Sequence, residues 1–176
     1  MANREALREL QSRLAARLQS ARTEGVQSSW LAVESGAVRY LFPLSQAGEI
    51  FSVPAIEAVP YTRPWFLGVA NLRGGLHGVI DLGAFVADSP RRPDVSAPRA
   101  EQRVVALNAL LEVNCALLID RLAGLRNMEA FASSTPAEAS APGYFGNRYT
   151  DLSGTHWQEI NLQALSQSPL FLSVGS

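Results

Sequence analysis

The chain has 176 residues, 47% apolar and 18% charged, with fifteen Lys and Arg against sixteen Asp and Glu for a net charge of -1. That length suits one ordinary domain or two small intimate units, and the apolar fraction excludes a disordered chain and a charge-dominated coat. The near-neutral balance leaves no overall positive field for DNA or RNA, so no nucleic-acid partner is expected.

From Asn3 to Arg22 there is neither Gly nor Pro, and Leu7, Leu10, Leu14, Leu18 and Ala21 recur at three- and four-residue steps. This predicts a helix with one narrow apolar stripe. Arg4, Arg8, Arg13 and Arg17 with Glu5 and Glu9 form its solvated faces. Two readings of the stripe stand: it docks on the chain's own domain, or it is a seam for a partner helix. Glu5 and Glu9 also leave no apolar leader, and the most apolar stretch of the chain is broken by Glu112, Asn114, Asp120 and Arg121. No window reaches the roughly 18 apolar residues of a membrane span, so the chain reads as soluble, not exported and without direct membrane insertion.

After Gly25, short apolar runs alternate with turn residues. Trp30 to Val33, a Ser35-Gly36 turn and Val38 to Leu44 read as a hairpin. Further strands are expected at Glu49 to Val53, Leu67 to Leu72, Leu76 to Leu82, Arg103 to Leu111 and Val113 to Asp120. These lengths fit a barrel or sandwich and not a parallel sheet with crossover helices. Asp88 to Ala100, with three prolines and three arginines, and Ser133 to Gly143 read as exposed linkers. Arg91, Arg92 and Arg99 read as solvated charges of the first. A weak repeat joins Ile80 to Phe85 (IDLGAF) with Ile160 to Leu165 (INLQAL), 80 positions on, and Ala47-Gly48 with Ala123-Gly124, 76 positions on. It suggests two related β units sharing a core.

Recognisable catalytic clusters are missing from the sequence. The two histidines, His77 and His156, belong to no HExxH spacing, and there is no CxxC or GxSxG. His77 could pair with Asp81 on the same face of a strand, but a structural or interface role is the better reading. Cys115 is the only cysteine and lies in an apolar-rich stretch, so it reads as a buried, unreactive thiol in a reducing cytoplasm. Gly74-Gly75 after Arg73 lacks the Lys-Ser/Thr and the helix start of a phosphate loop, which leaves a hairpin turn. A binding function is the default, with no metal and no cofactor expected.

Phe66 to Leu82 (FLGVANLRGGLHGVIDL) resembles the CheW adaptor family of bacterial chemosensory systems, whose pattern there is a Gly-Val-x-Asn-Leu-Arg-Gly strand and turn, then an apolar strand ending in Asp-Leu. Tyr40 to Ile50 resembles the family's strand and bend into "Val-x-Glu-Ile". The leading helix, Trp30 and the Arg63 to Gly68 run are most similar to the PilI branch, which serves the pilus-linked array controlling twitching motility. The resemblance is strong from Trp30 to Val86, fair from Arg103 to Phe131, poor from Ala132 to Gly154, and loose at Trp157 to Leu165.

The resemblance implies a mainly β fold of two SH3-like five-stranded barrels with a common core, an N-terminal helix over 1–25 and short helices after the barrels. The barrels would span about 30–88 and 103–170, joined by a linker at 88–102. It implies no enzyme activity. Family members bridge the regulatory domain of a CheA-type histidine kinase to the cytoplasmic helical tip of a chemoreceptor. Matched position by position, the kinase-facing residues are Ala47, Glu49, Asn71, Arg73 and Gly74, and the receptor groove takes Ile50, Val53, Val69 and Leu72. Ala47 replaces a more usual branched residue, and Asn161 stands where Asp is frequent. By its own chemistry Arg73 either reaches a partner's carboxylate or steadies the turn through Asp81 or a backbone carbonyl. A flagellar-type adaptor is the alternative, and a small β-barrel ligand-binding protein or enzyme using His77, Asp81 and Arg73 is a reading of a different class.

Overall fold

Strong helix formers fill the N-terminal segment, and it is helical as expected: α1 spans Ala2–Gln27. The computed structural model describes residues 2–27, 29–88 and 99–175, with the side chains of α1 described from residue 4 to residue 16. Every one of those side chains is exposed, so the seam at Leu7, Leu10 and Leu14 is not buried on the chain's own body. The side chains of Leu18 and Ala21, and residues 89–98 of the proline-rich 88–100 segment, lie outside what is described.

The expected hairpin is β1 (Ser29–Ser35) with β2 (Val38–Pro43), followed by β3 (Ala47–Ser52), β4 (Phe66–Leu72), β5 (Gly75–Asp81) and α2 (Leu82–Ala87). The second half runs β6 (Arg103–Leu107), β7 (Cys115–Ile119), β8 (Arg121–Asn127), β9 (Phe131–Thr135), β10 (Phe145–Asp151), β11 (His156–Ile160), α3 (Leu162–Ser166) and α4 (Pro169–Leu172). The strand expected over 103–111 stops at Leu107, because Asn108 turns the chain and its side chain caps a short 3-10 turn through the N–H of Leu110. The 133–143 segment is not all linker, since its first three residues belong to β9.

Among the described residues there are two mixed sheets, one of order β8-β1-β2-β11-β10-β9 and one of order β3-β6-β7-β5-β4. Neither comes from one half of the chain. The β1-β2 hairpin of the first half joins the later strands through a parallel β2-β11 contact, and β6-β7 joins the earlier strands through a parallel β5-β7 contact. The segments 30–88 and 103–170 therefore each lend a hairpin to the other's sheet. The first sheet has six strands where five were expected, because β9 adds along β10.

Alternation along the strands builds three cores. Phe51, Ala70, Leu72, Val79, Val104, Ala106, Ala116 and Leu118, drawn from all five strands of the smaller sheet, fill its interior. Trp30, Ala32, Leu41, Ala123, Phe131, Tyr149 and Trp157 do the same across the six strands of the larger sheet. The intervening residues point the other way: Leu31, Val33, Tyr40, Phe42, Ile80, Val105, Leu107, Leu117, Ile119 and Ile160 meet α2, α3 and α4 in a core shared by both sheets. Strands buried on both faces read as continuous apolar runs, and each such side chain removed from water contributes about 1.5–3 kcal/mol.

The weak repeat has a structural cause. Asp81 and Asn161 each sit in extended backbone before a short helix, and each side chain accepts the N–H of the residue three positions on, at 3.1 Å from Ala84 and 3.0 Å from Ala164. Gly48 and Gly124 of the Ala-Gly pair both fall where the register of their strand shifts, on β3 and β8, the counterparts in the two sheets.

In β4, Gly68 has φ 138° at a register shift, and a Cβ there would collide with the carbonyl of Glu57, whose N–H and C=O both bond to Val69. No side chain fits that approach. Gly68→Ala is expected to cost about 3 kcal/mol in urea unfolding; a loss below about 1 kcal/mol would show that the 57–69 contact yields freely.

Candidate functional site

The β4-β5 turn puts the most distinctive side chains at one end of the smaller sheet. Leu72 and Gly75 are paired, so the two turn residues are Arg73 and Gly74, with φ of 50° and 78°. Two positive φ values are the signature of a type I′ turn. The glycine pair read from the sequence is displaced by one residue: Gly75 is already in the strand, and Arg73 holds the other left-handed position. For a residue with a Cβ this conformation costs about 1 kcal/mol. Asn71 offsets part of that cost, its Oδ1 accepting the Gly74 N–H at 2.8 Å.

Arg73 Nη2 lies 2.7 Å from Glu49 Oε1. β3 and β4 are the two edges of the five-stranded order, so this ion pair links opposite edges and the sheet is rolled into a barrel. The carboxylate that Arg73 finds is therefore inside the chain, on neither Asp81 nor a backbone carbonyl. Both side chains remain open to solvent, 75% exposed for Arg73 and 44% for Glu49. The pair is a surface charge couple and contributes less than about 1 kcal/mol to stability.

Of the remaining sequence-derived residues, Ala47 is half-buried against the shared core, and Ile50 and Val53 are exposed at 38% and 39%. Val69 is half-buried beneath its backbone pairing with Glu57. Leu72 is 4% exposed inside the barrel and offers no area to a groove, because alternation turns it opposite to Asn71. Leu76 was not singled out, yet it is 65% exposed and directly opposite Asn71 in the hairpin. Its place two residues beyond the turn was the signal that could have found it.

The His77-Asp81 pairing does not form. Four residues of strand set the two positions about 13 Å apart. His77 Nδ1 is 3.0 Å from the Gly75 carbonyl, while Asp81 is buried and caps α2. Cys115 is half-buried, and burial pushes its thiol up to about 11, away from the thiolate that reactivity requires. Among the described residues no group of three or more His, Cys, Asp or Glu is placed to hold a metal ion, and no helix is long and apolar enough to cross a membrane.

The CheW-like domain family matches this chain over residues 29–169. The chain belongs to the CheW-like domain family. It is 29% identical over 167 residues to Protein PilI of Pseudomonas aeruginosa, covering 92% of this chain and 88% of that protein, a span reaching beyond the family domain itself. The crystal structure of scaffolding protein TtCheW from Thermoanaerobacter tengcongensis superposes with a TM-score of 0.60 at 16% identity, over 76% of this chain and 88% of that one, and shows the same fold.

The second barrel of this CheW-like chain also carries a cation on one edge strand and an anion at a hairpin turn, with a tryptophan between them. Here the cation, Arg126, is on β8, and the anion, Asp151, ends β10 at the turn into β11. The Trp157 indole N–H donates to Asp151 Oδ2 at 3.0 Å, and Arg126 and Arg39 lie 5.6 and 6.0 Å from the centre of the Trp157 ring. The indole hydrogen bond, the Thr155 and Ser153 N–H groups and the charge of Arg126 hold the Asp151 carboxyl below its usual range.

Two outcomes are expected. Arg73→Glu should change thermal stability by less than about 1 kcal/mol, and adding Glu49→Arg should recover what was lost; a much larger loss in the single variant contradicts an exposed pair. A carboxyl with a lowered native pKa stabilises the fold above its unfolded value of about 3.9, and that contribution is lost as pH falls through the native value. The stability gap between the parent and Asp151→Ala should therefore close on acidification in urea unfolding at stepped pH, whereas a gap independent of pH contradicts the assignment.

Proposed function

We propose that this chain is a noncatalytic adaptor that couples a chemoreceptor's cytoplasmic tip to the regulatory domain of a CheA-type histidine kinase, in the cytoplasmic, pilus-linked array that controls twitching motility. Membership of the CheW-like family over 29–169 supports the adaptor role, and likeness to Protein PilI along nearly the whole chain supports the pilus branch.

The observation that carries the site is Arg73. A long charged side chain is held, at a cost in backbone strain, in a turn position that glycine fills with ease, and it is fixed by Glu49 in full view of solvent. In this reading Glu49, Asn71, Arg73 and Gly74 meet the kinase, with Ala47 shaping β3 from below. Ile50 and Val53, with Val69 at the margin, meet the receptor helix, and Leu72 supports them from inside the barrel. Two modest interfaces on one rigid body raise the effective concentration of kinase beside receptor.

The test is reconstitution of the purified chain with a pilus-array kinase and a soluble receptor signalling fragment, followed by co-sedimentation. The parent should recruit the kinase, and Arg73→Glu or Glu49→Arg should reduce that recruitment by about tenfold or more. The double swap separates two modes of action: recruitment returns if the pair only orders the turn and stays lost if the partner reads its charges. No kinase recruitment by the folded parent would overturn the proposal.

A further inference from the structure

The fold leaves the described apolar residues of α1, between Arg4 and Ala16, unused. Leu7, Leu10 and Leu14 are 55%, 58% and 52% exposed, on a helix whose side chains from Arg4 to Ala16 all face solvent. Within Arg4 to Ala16, steps of three and four place these leucines at a, d and a positions of a heptad; Arg17 takes the next d position, with Leu18 beside it at e. The a, d and a run is the narrow seam of a helix pair and not the broad stripe of a helix lying on a sheet or a bilayer. Residues 2–27 also include no aromatic side chain of the kind that settles a helix into a lipid interface.

Charge is distributed unevenly around the seam. With Leu7 at a, the bordering e and g positions between Arg4 and Ala16 are Arg4, Ala6, Gln11 and Arg13, while Glu5 and Glu9 fall at f and c, away from it. Glu9 is engaged along the helix by Arg13, at 3.1 Å. The charged residues bordering the seam are thus cationic. A second copy of α1 would offer the same cationic borders and gain no complementary charge.

We propose that α1 is a docking helix for a partner helix with an apolar a/d seam bordered by Glu or Asp, a surface separate from both barrels. Pairing would bury Leu7, Leu10 and Leu14 and set Arg4 and Arg13 against carboxylates across the seam. The inference is independent of the adaptor reading, since α1 precedes the family match at residues 29–169 and the barrel-end charges play no part in it.

The experiment titrates the full chain against two fluorescent four-heptad helices with Leu at a and d, one with Glu and one with Lys at e and g, and reads anisotropy. The Glu helix should bind at least about tenfold more tightly than the Lys helix. The double variant Arg4→Glu, Arg13→Glu should reverse that preference. Leu10→Asp should weaken Glu-helix binding about tenfold or more with the thermal unfolding of the barrels unchanged. Equal binding of the two helices, or a preference that survives the charge reversal, would overturn the proposal. So would a concentration-dependent dimer abolished by Leu10→Asp in sedimentation, which assigns the seam to a second copy, or Leu10-dependent binding to phosphatidylglycerol–phosphatidylcholine vesicles, which assigns it to a membrane.

Discussion

Strands of the β1-β2 and β6-β7 hairpins present apolar side chains to two cores at once: Trp30 and Ala32 to one barrel and Leu31 and Val33 to the shared core, with Val104 and Ala106 set against Val105 and Leu107 in the same way. Each hairpin is therefore covered on one face inside a barrel and on the other by the shared core, and it must pair along an edge with a strand from the other half of the chain. The parallel contacts of β2 with β11 and of β5 with β7 meet that demand. Two sheets that exchange hairpins and share eighteen buried residues in one core cannot slide past one another without opening it.

That rigidity positions the surface. With the barrel interiors packed, charge gathers at the barrel surfaces: Glu49 and Arg73 where opposite edges of the smaller sheet meet, and Arg126 and Asp151 around Trp157 in the larger one. Such groups contribute little to stability at the surface, but they fix the direction in which a guanidinium or carboxylate points. A binding end built on a closed barrel has its side chains arranged before a partner arrives, which lowers the ordering cost of association.

Much of this was legible in the residues, and what was not has identifiable causes. Apolar runs located β1 to β7, most plainly β1, β6 and β7, because strands buried on two faces are conspicuous. β8 to β11 escaped: β8 and β9 are largely open to solvent, β10 is mostly half-buried, and Arg, Asn, Ser, Gly, Gln and Glu interrupt a clean alternation in these strands. The hairpin exchange left no local trace, because parallel pairing over such distances is decided by three-dimensional packing. At the site, the motif located the Arg73 turn but not its centre, and strand parity alone could not say that Leu72 faces inward while Leu76 faces out.

The exchange of hairpins also sets the order in which the protein can be completed on the ribosome. The indole of Trp30, in β1, hydrogen-bonds to Glu159, in β11, across 129 residues of chain. Until β11 is made, β1 and β2 lack part of the cover of both apolar faces, and such surface exposed in an incomplete chain favours aggregation. A fold so wired closes late, because its first barrel-forming hairpin and its last share one set of contacts.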